Sequence, residues 1–214
     1  MKVPEDILNV IKEIRMGEFM IIYILRHGQT VNNEKHILQG QTNTELNDTG
    51  KTQAAEVRKL LETKEIAFDR IYCSPLIRTM QTGEIATGRS REDFIIDKRI
   101  IEIGLGTWEE RPFASLTEVE VEGFMRPTSE DLHPEGGESF RQVIDRVSEF
   151  YEDLKKTEND DTVLVVSHGC AIHAMLSYFL DKSISEFWKP WLDNCALVRV
   201  ELQNGKYTVE EKYR

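Results

Sequence analysis

The residue types best able to do chemistry stand at three points of the 214-residue chain: Arg26-His27, Ser74 with Arg78, and His168. An imidazole with its unperturbed pKa of about 6.5 is largely neutral near pH 7, so it can act as a nucleophile. A guanidinium offers planar, multi-donor contacts to phosphoryl oxygens that a lysine cannot match. Phosphoryl transfer is mainly positioning and charge stabilisation, and two histidines with two arginines are suited to both.

Each point follows a short apolar run. Met20 to Leu25 (MIIYIL) and Thr162 to Ser167 (TVLVVS) read as buried strands, and Asp69 to Cys73 as a third. Helices are expected over 49–62, where Ala54, Val57, Leu60 and Leu61 recur at helical spacing, and from Leu76 to Thr87 after the Ser74-Pro75 break. A further apolar stripe, including Phe140, Val143, Val147 and Phe150, predicts a helix over Ser139 to Lys156. Another helix follows His168-Gly169 to about Leu180, and Asn204-Gly205 marks a hairpin between Ala196–Leu202 and Tyr207–Lys212. The stretch 103–138 has weak periodicity and reads as a loop-rich excursion. Strand–helix alternation with apolar strands implies an α/β fold, a three-layer α/β/α sandwich on a largely parallel mixed sheet. Ligands in such sheets bind at the carboxyl ends of strands, where all three points then fall together.

The surrounding blocks are recognisable. Leu25-Arg26-His27-Gly28-Gln29-Thr30 is followed by Asn33, Leu38-Gln39-Gly40, Glu45-Leu46 and Thr49-Gly50. Ser74-Pro75-Leu76-Ile77-Arg78-Thr79-Met80-Gln81-Thr82 forms a second block, and Glu102 with Gly106-Thr107-Trp108-Glu109 a third. Pro134-Glu135-Gly136-Gly137-Glu138-Ser139 and Ser167-His168-Gly169 complete the series. In this order they resemble the histidine phosphatase superfamily, which includes cofactor-dependent phosphoglycerate mutases, over about Met20 to Asn194. Gly104 and Glu110 depart from the family pattern, at positions where a polar residue and a Gly are common.

The resemblance implies a domain over 20–214 with a small loop-rich cap insertion at about 103–138. It implies His27 as the nucleophile that forms a phosphohistidine, and His168 opposite it as a hydrogen-bond donor to the phosphoryl group. Arg26 and Arg78 would bind the phosphoryl oxygens, with Asn33, Gln39 and Gly169 as further phosphate or substrate contacts. Glu102 would be the general acid, and then the base for water in the second half-reaction. Glu109, Glu110 and Glu138 are alternative carboxyls. Ser74 reads equally as a helix cap or a phosphate contact. His36, His133 and His173 read as surface or packing residues, and Cys73 and Cys170 as small buried hydrophobes. The cluster of Trp108, Phe113, Phe124 and Met125 is expected to be half core and half substrate wall.

Phosphatase and mutase both run through the same intermediate. Only 66 positions separate Glu102 from His168, a shorter segment than the mutase insertion and similar to the small broad-specificity phosphatases. Residues 103–140 hold nine acidic residues against Arg111 and Arg126, a poor cradle for a second phosphate. The expected substrate is a small phosphorylated metabolite, a monophosphate ester with a partly apolar or neutral leaving group. Phosphoglycerate mutase is the alternative reading, and a non-catalytic phosphate-binding regulator a more distant one.

A net charge of −11 argues against nucleic acid as a partner. No apolar run approaches a membrane span, and the charged first residues lack a secretory core, so a cytoplasmic protein is expected. Three scattered cysteines form neither a disulfide framework nor a CxxC site. No zinc or calcium spacing appears, and no metal or cofactor is expected, because arginines and histidines supply the positive charge. Residues 1–19 lie outside the resemblance. Ile7, Leu8, Ile11 and Ile14 suit a helix over 5–15 that covers an apolar surface or joins a homodimer; equally, translation could start at Met16 or Met20.

Overall fold

The computed structural model describes residues 19–157 and 161–213. The expected helix over 5–15 lies outside them. Six strands, β1 (Phe19–Arg26), β2 (Arg70–Cys73), β3 (Ile95–Ile96), β4 (Thr162–Ser167), β5 (Leu197–Gln203) and β6 (Lys206–Tyr213), form one sheet in the order β3-β2-β4-β1-β5-β6. The first four of that order are parallel, and β5 and β6 are antiparallel additions. The helices are α1 (Val31–Glu34), α2 (Asp48–Thr63), α3 (Ile77–Thr87), α4 (Glu118–Met125), α5 (Phe140–Lys155) and α6 (Gly169–Leu180). This is the expected three-layer α/β arrangement.

The central strands are apolar throughout because both faces are covered. Ile22 and Ile24 of β1 join Val163 and Val165 of β4 in a core with α5 and α6. Tyr23, Leu25, Leu164 and Val166 point the other way, into a core with α2 and α3. Both cores use the period-two alternation of side chains along a strand.

Register brings the candidate residues together. Arg26 pairs with Ser167 and Cys73 with Val166, so three parallel strands end at one level. The His27 amide then donates to Ser167 O at 3.0 Å and the Ser74 amide to Val166 O at 3.1 Å. His27, Ser74 and His168 therefore leave the sheet at one carboxyl edge.

Helix ends follow local capping chemistry. Asn47 accepts from the Gly50 amide ahead of α2, and Ser139 from the Gln142 amide ahead of α5. The 103–138 segment contains two 3-10 turns, Gly106–Trp108 and Phe113–Ser115, and the helix α4. It walls the carboxyl edge of the sheet. Among the described residues no helix is long and apolar enough to cross a membrane.

Candidate active site

The turn after β1 is built by close backbone approach. A Cβ on Gly28 would lie 2.6 Å from Gly50 O, and one on Gly50 would lie 2.1 Å from Gln29 O. Two glycines thus let the first turn of α2 press against residues 27–30. Gly28 N donates to Thr82 Oγ1 at 3.0 Å, which ties the same turn to α3. Asn194 Nδ2 donates to His27 O at 3.0 Å from the loop before β5.

His27 is buried, and its Nδ1 lies 2.7 Å from Gly28 O. A carbonyl only accepts, so Nδ1 carries the proton and Nε2 keeps its lone pair. Burial, then the charges of Arg78 and Arg26, hold the imidazole well below its ordinary pKa, against the opposing pull of the Gly28 hydrogen bond. His168 is held well below its ordinary pKa by burial first and then by Arg78. The two rings lie 5.2 Å apart, centroid to centroid.

Arg78 is fully buried and donates Nε to His168 Nδ1 at 3.1 Å, Nη1 to Thr42 O at 2.7 Å and Nη2 to Gly40 O at 2.8 Å. One N–H on each terminal nitrogen remains. Burial lowers its pKa to about 10, opposed by Glu102 and Glu109, so it stays charged at neutral pH. Arg26 donates Nη1 to Leu192 O, and its buried Nε has no hydrogen-bond partner among the described residues. Its guanidinium lies 3.5 Å from where a Cβ on Gly169 would stand.

His168 accepts from Arg78 at Nδ1, so its proton sits on Nε2, which lies 2.6 Å from Ser74 Oγ. Its single N–H is therefore directed at Ser74. Ser74 does not cap the following helix, whose N-cap is Leu76. Glu102 faces the N-terminus of α6, where no side-chain hydrogen bond caps the helix from the His168 position. Its Oε1 accepts from Ala171 N at 3.2 Å and Ile103 N at 3.0 Å, and Oε2 from Cys170 N at 3.4 Å.

The other carboxyls are committed elsewhere. Glu109 accepts from the amides of Gln41 and Leu105 and from Thr42 Oγ1. Glu138 is paired with Arg146. Glu110 is exposed, with a φ of 63°. Asn33 Oδ1 accepts from Thr30 N, and Gln39 Oε1 from Thr30 Oγ1, so each has its carbonyl engaged within the 30–39 loop.

One cleft of about 590 Å³ is lined by Arg26, His27, Asn33, Gln39, Arg78, Glu102 and Gly169, so the carboxyl edge brings these expected residues together. His168 lies behind them, fully buried. Phe113, Phe124 and Met125 line the cleft, three of the four residues expected to divide evenly between core and substrate wall. Trp108 instead packs edge-on against Phe124 at 5.9 Å, behind the wall. His36 also lines the cleft, His133 Nδ1 pairs with Pro134 O, and His173 is buried beside Trp188. The three cysteines are buried and unbridged.

Sequence reasoning missed Trp188, Trp191, Asp193 and Asn194, which close the cleft from the loop before β5. The available signal was topological. A segment that leads into a strand hydrogen-bonded to β1 must pass the carboxyl edge.

Residues 22–213 match the model of the histidine phosphatase superfamily, branch 1. A protein of Shigella boydii named "Probable phosphoglycerate mutase GpmB" is 34% identical over 188 residues, covering 86% of each chain. The structure of a phosphoserine phosphatase mutant from Entamoeba histolytica, in complex with phosphoserine, aligns with a TM-score of 0.80 at 25% identity, over 90% of this chain and 96% of that one. A mycobacterial glucosyl-3-phosphoglycerate phosphatase in complex with VO3 aligns with a TM-score of 0.77 at 25% identity, over 89% and 96%. On its sequence, its fold and the arrangement of this cleft, the chain is an enzyme of the histidine phosphatase superfamily, branch 1.

Proposed function

We propose that the protein hydrolyses small phosphate monoesters through a phosphohistidine on His27. The observation that carries this reading is the state of His27: neutral, with Nδ1–H fixed by Gly28 O, set beside two guanidiniums in a cleft that also holds Glu102. His27 Nε2 attacks phosphorus, and the bond to the leaving oxygen breaks. Protonated Glu102 delivers its proton to that oxygen. Water then attacks phosphorus and gives a proton to Glu102; the Nε2–phosphorus bond breaks with its electron pair returning to Nε2, which releases inorganic phosphate and restores the neutral imidazole. The spare N–H groups of Arg78 and the unpartnered Nε–H of Arg26 hold the phosphoryl oxygens. Asn33, Gln39 and the Gly169 backbone complete the contacts, and His168 orients Arg78 through its Nδ1.

The leaving group is apolar or neutral. Phe113, Phe124, Met125, Trp188 and Trp191 wall the cleft beyond the phosphate position. Among the described residues, no lysine or arginine other than Arg26 and Arg78 lines it. A second phosphate therefore lacks a guanidinium partner. The chain's 34% identity to a probable phosphoglycerate mutase favours isomerisation of a phosphoglycerate as the second reading. Phosphate release from p-nitrophenyl phosphate and a panel of metabolite monophosphates, run in EDTA beside a 3-phosphoglycerate isomerisation assay, separates the two. Release that survives EDTA is the expected result, and isomerisation without release would establish the mutase.

A further inference from the structure

We propose that Arg146, Glu138 and Gln41 are positioning residues for Glu102, and that their network sets how well Glu102 protonates a leaving group. The inference rests on the reading of Glu102 as the general acid.

All five N–H groups of the Arg146 guanidinium are engaged. Nη1 donates to Arg99 O and Ile101 O, both at 2.7 Å. Nη2 donates to Glu102 O and Glu138 Oε2, both at 3.0 Å, and Nε to Glu138 Oε1 at 2.9 Å. A five-donor planar group thus gathers the carbonyls of residues 99, 101 and 102, a pattern that the three donors of a lysine cannot reproduce. The Arg146 and Glu138 side chains are only 15% and 25% exposed, so the pair is shielded from water.

Glu138 holds the far side of the same segment. Its Oε2 accepts from Gly104 N at 2.8 Å, and its own amide donates to Gly104 O at 2.8 Å. Gln41 Nε2 closes the ring, donating to Glu102 O at 3.0 Å and Glu138 Oε2 at 3.3 Å. The backbone on both sides of Glu102 is therefore pinned, while its carboxylate accepts from the main-chain amides of Ile103, Cys170 and Ala171. Gln41 also lies between Gly40 and Thr42, whose carbonyls receive Arg78.

The readout is leaving-group dependence. An alkoxide needs a proton to depart, whereas p-nitrophenolate leaves without one. A well-placed general acid contributes roughly 10²–10⁴-fold where the proton is needed. Arg146→Lys and Gln41→Ala should each lower kcat/KM for ethyl phosphate by about tenfold, a fraction of that span, and leave p-nitrophenyl phosphate within about twofold. Gln41 is partly exposed, so its truncation tests the network even if Arg146→Lys fails to fold. Glu102→Gln is the control. If Glu102→Gln discriminates between the two substrates and the network variants depress both equally, the positioning role is overturned. If Glu102→Gln itself shows no discrimination, the reading of Glu102 as general acid falls instead.

Discussion

His27 and His168 are two imidazoles kept neutral inside a cationic site. Their lowered pKa values make a stability statement. In the unfolded chain each takes up a proton near pH 6.5, while in the folded protein each stays neutral to well below that. The unfolded state thus binds more protons below about pH 6.5, so stability falls as the pH drops through this window and is insensitive to these groups above it. The slope is up to about 1.4 kcal/mol per pH unit for each imidazole. Denaturant titrations at pH 7.5 and 5.5 should show a smaller loss for His27→Asn than for the wild type. The reactive types were legible here because they sit in contiguous blocks: Arg26-His27-Gly28, Ser74 to Arg78, and His168-Gly169. Gln41 and Asn194 were not, because their partners are main-chain carbonyls of Glu102 and His27 that only folding brings near.

At the scale of elements, the seating of α2 against the β1 turn decides where His27 stands. A methyl at position 50 would meet Gln29 O at 2.1 Å, backbone against backbone, with no flexible side chain to yield. Gly50→Ala is expected to cost about 1–3 kcal/mol, the usual range for overpacking, and to lower kcat by shifting residues 27–30. Thermal unfolding and initial rates on p-nitrophenyl phosphate check both. Strands β1 and β4 were readable because burial on both faces leaves an unbroken apolar run. The two residues of β3 are too few to form a pattern. Helix α4 escaped because Glu118-Val119-Glu120-Val121-Glu122 alternates with period two, and Val119 is 83% exposed. A capping box from Thr117 to Glu120, and the packing of Phe124 on Trp108, Phe140 and Trp188, hold that segment helical.

For the whole molecule, the cleft is walled by three separate stretches meeting over one sheet edge: the 36–40 loop, the 103–138 segment and the loop before β5. The aromatic half of the wall was visible in the cap sequence. Its completion by Trp188 and Trp191 needed the topology. Trp191 is 54% exposed, so its truncation should leave stability nearly unchanged. Loss of its ring contact should raise KM for an aryl monophosphate by about tenfold, equivalent to roughly 1.4 kcal/mol, with kcat less affected. A comparable rise for ethyl phosphate would show that the ring shapes the phosphate site rather than the leaving-group pocket.

The most direct test of the account is to quench the enzyme during turnover of a phosphomonoester and locate the phosphoryl group by mass spectrometry under alkaline conditions, where phosphohistidine survives. The account predicts one acid-labile phosphoryl group, on the peptide that carries His27, absent from His27→Ala together with phosphate release. Turnover retained by His27→Ala, or an adduct found on His168 alone, would contradict it.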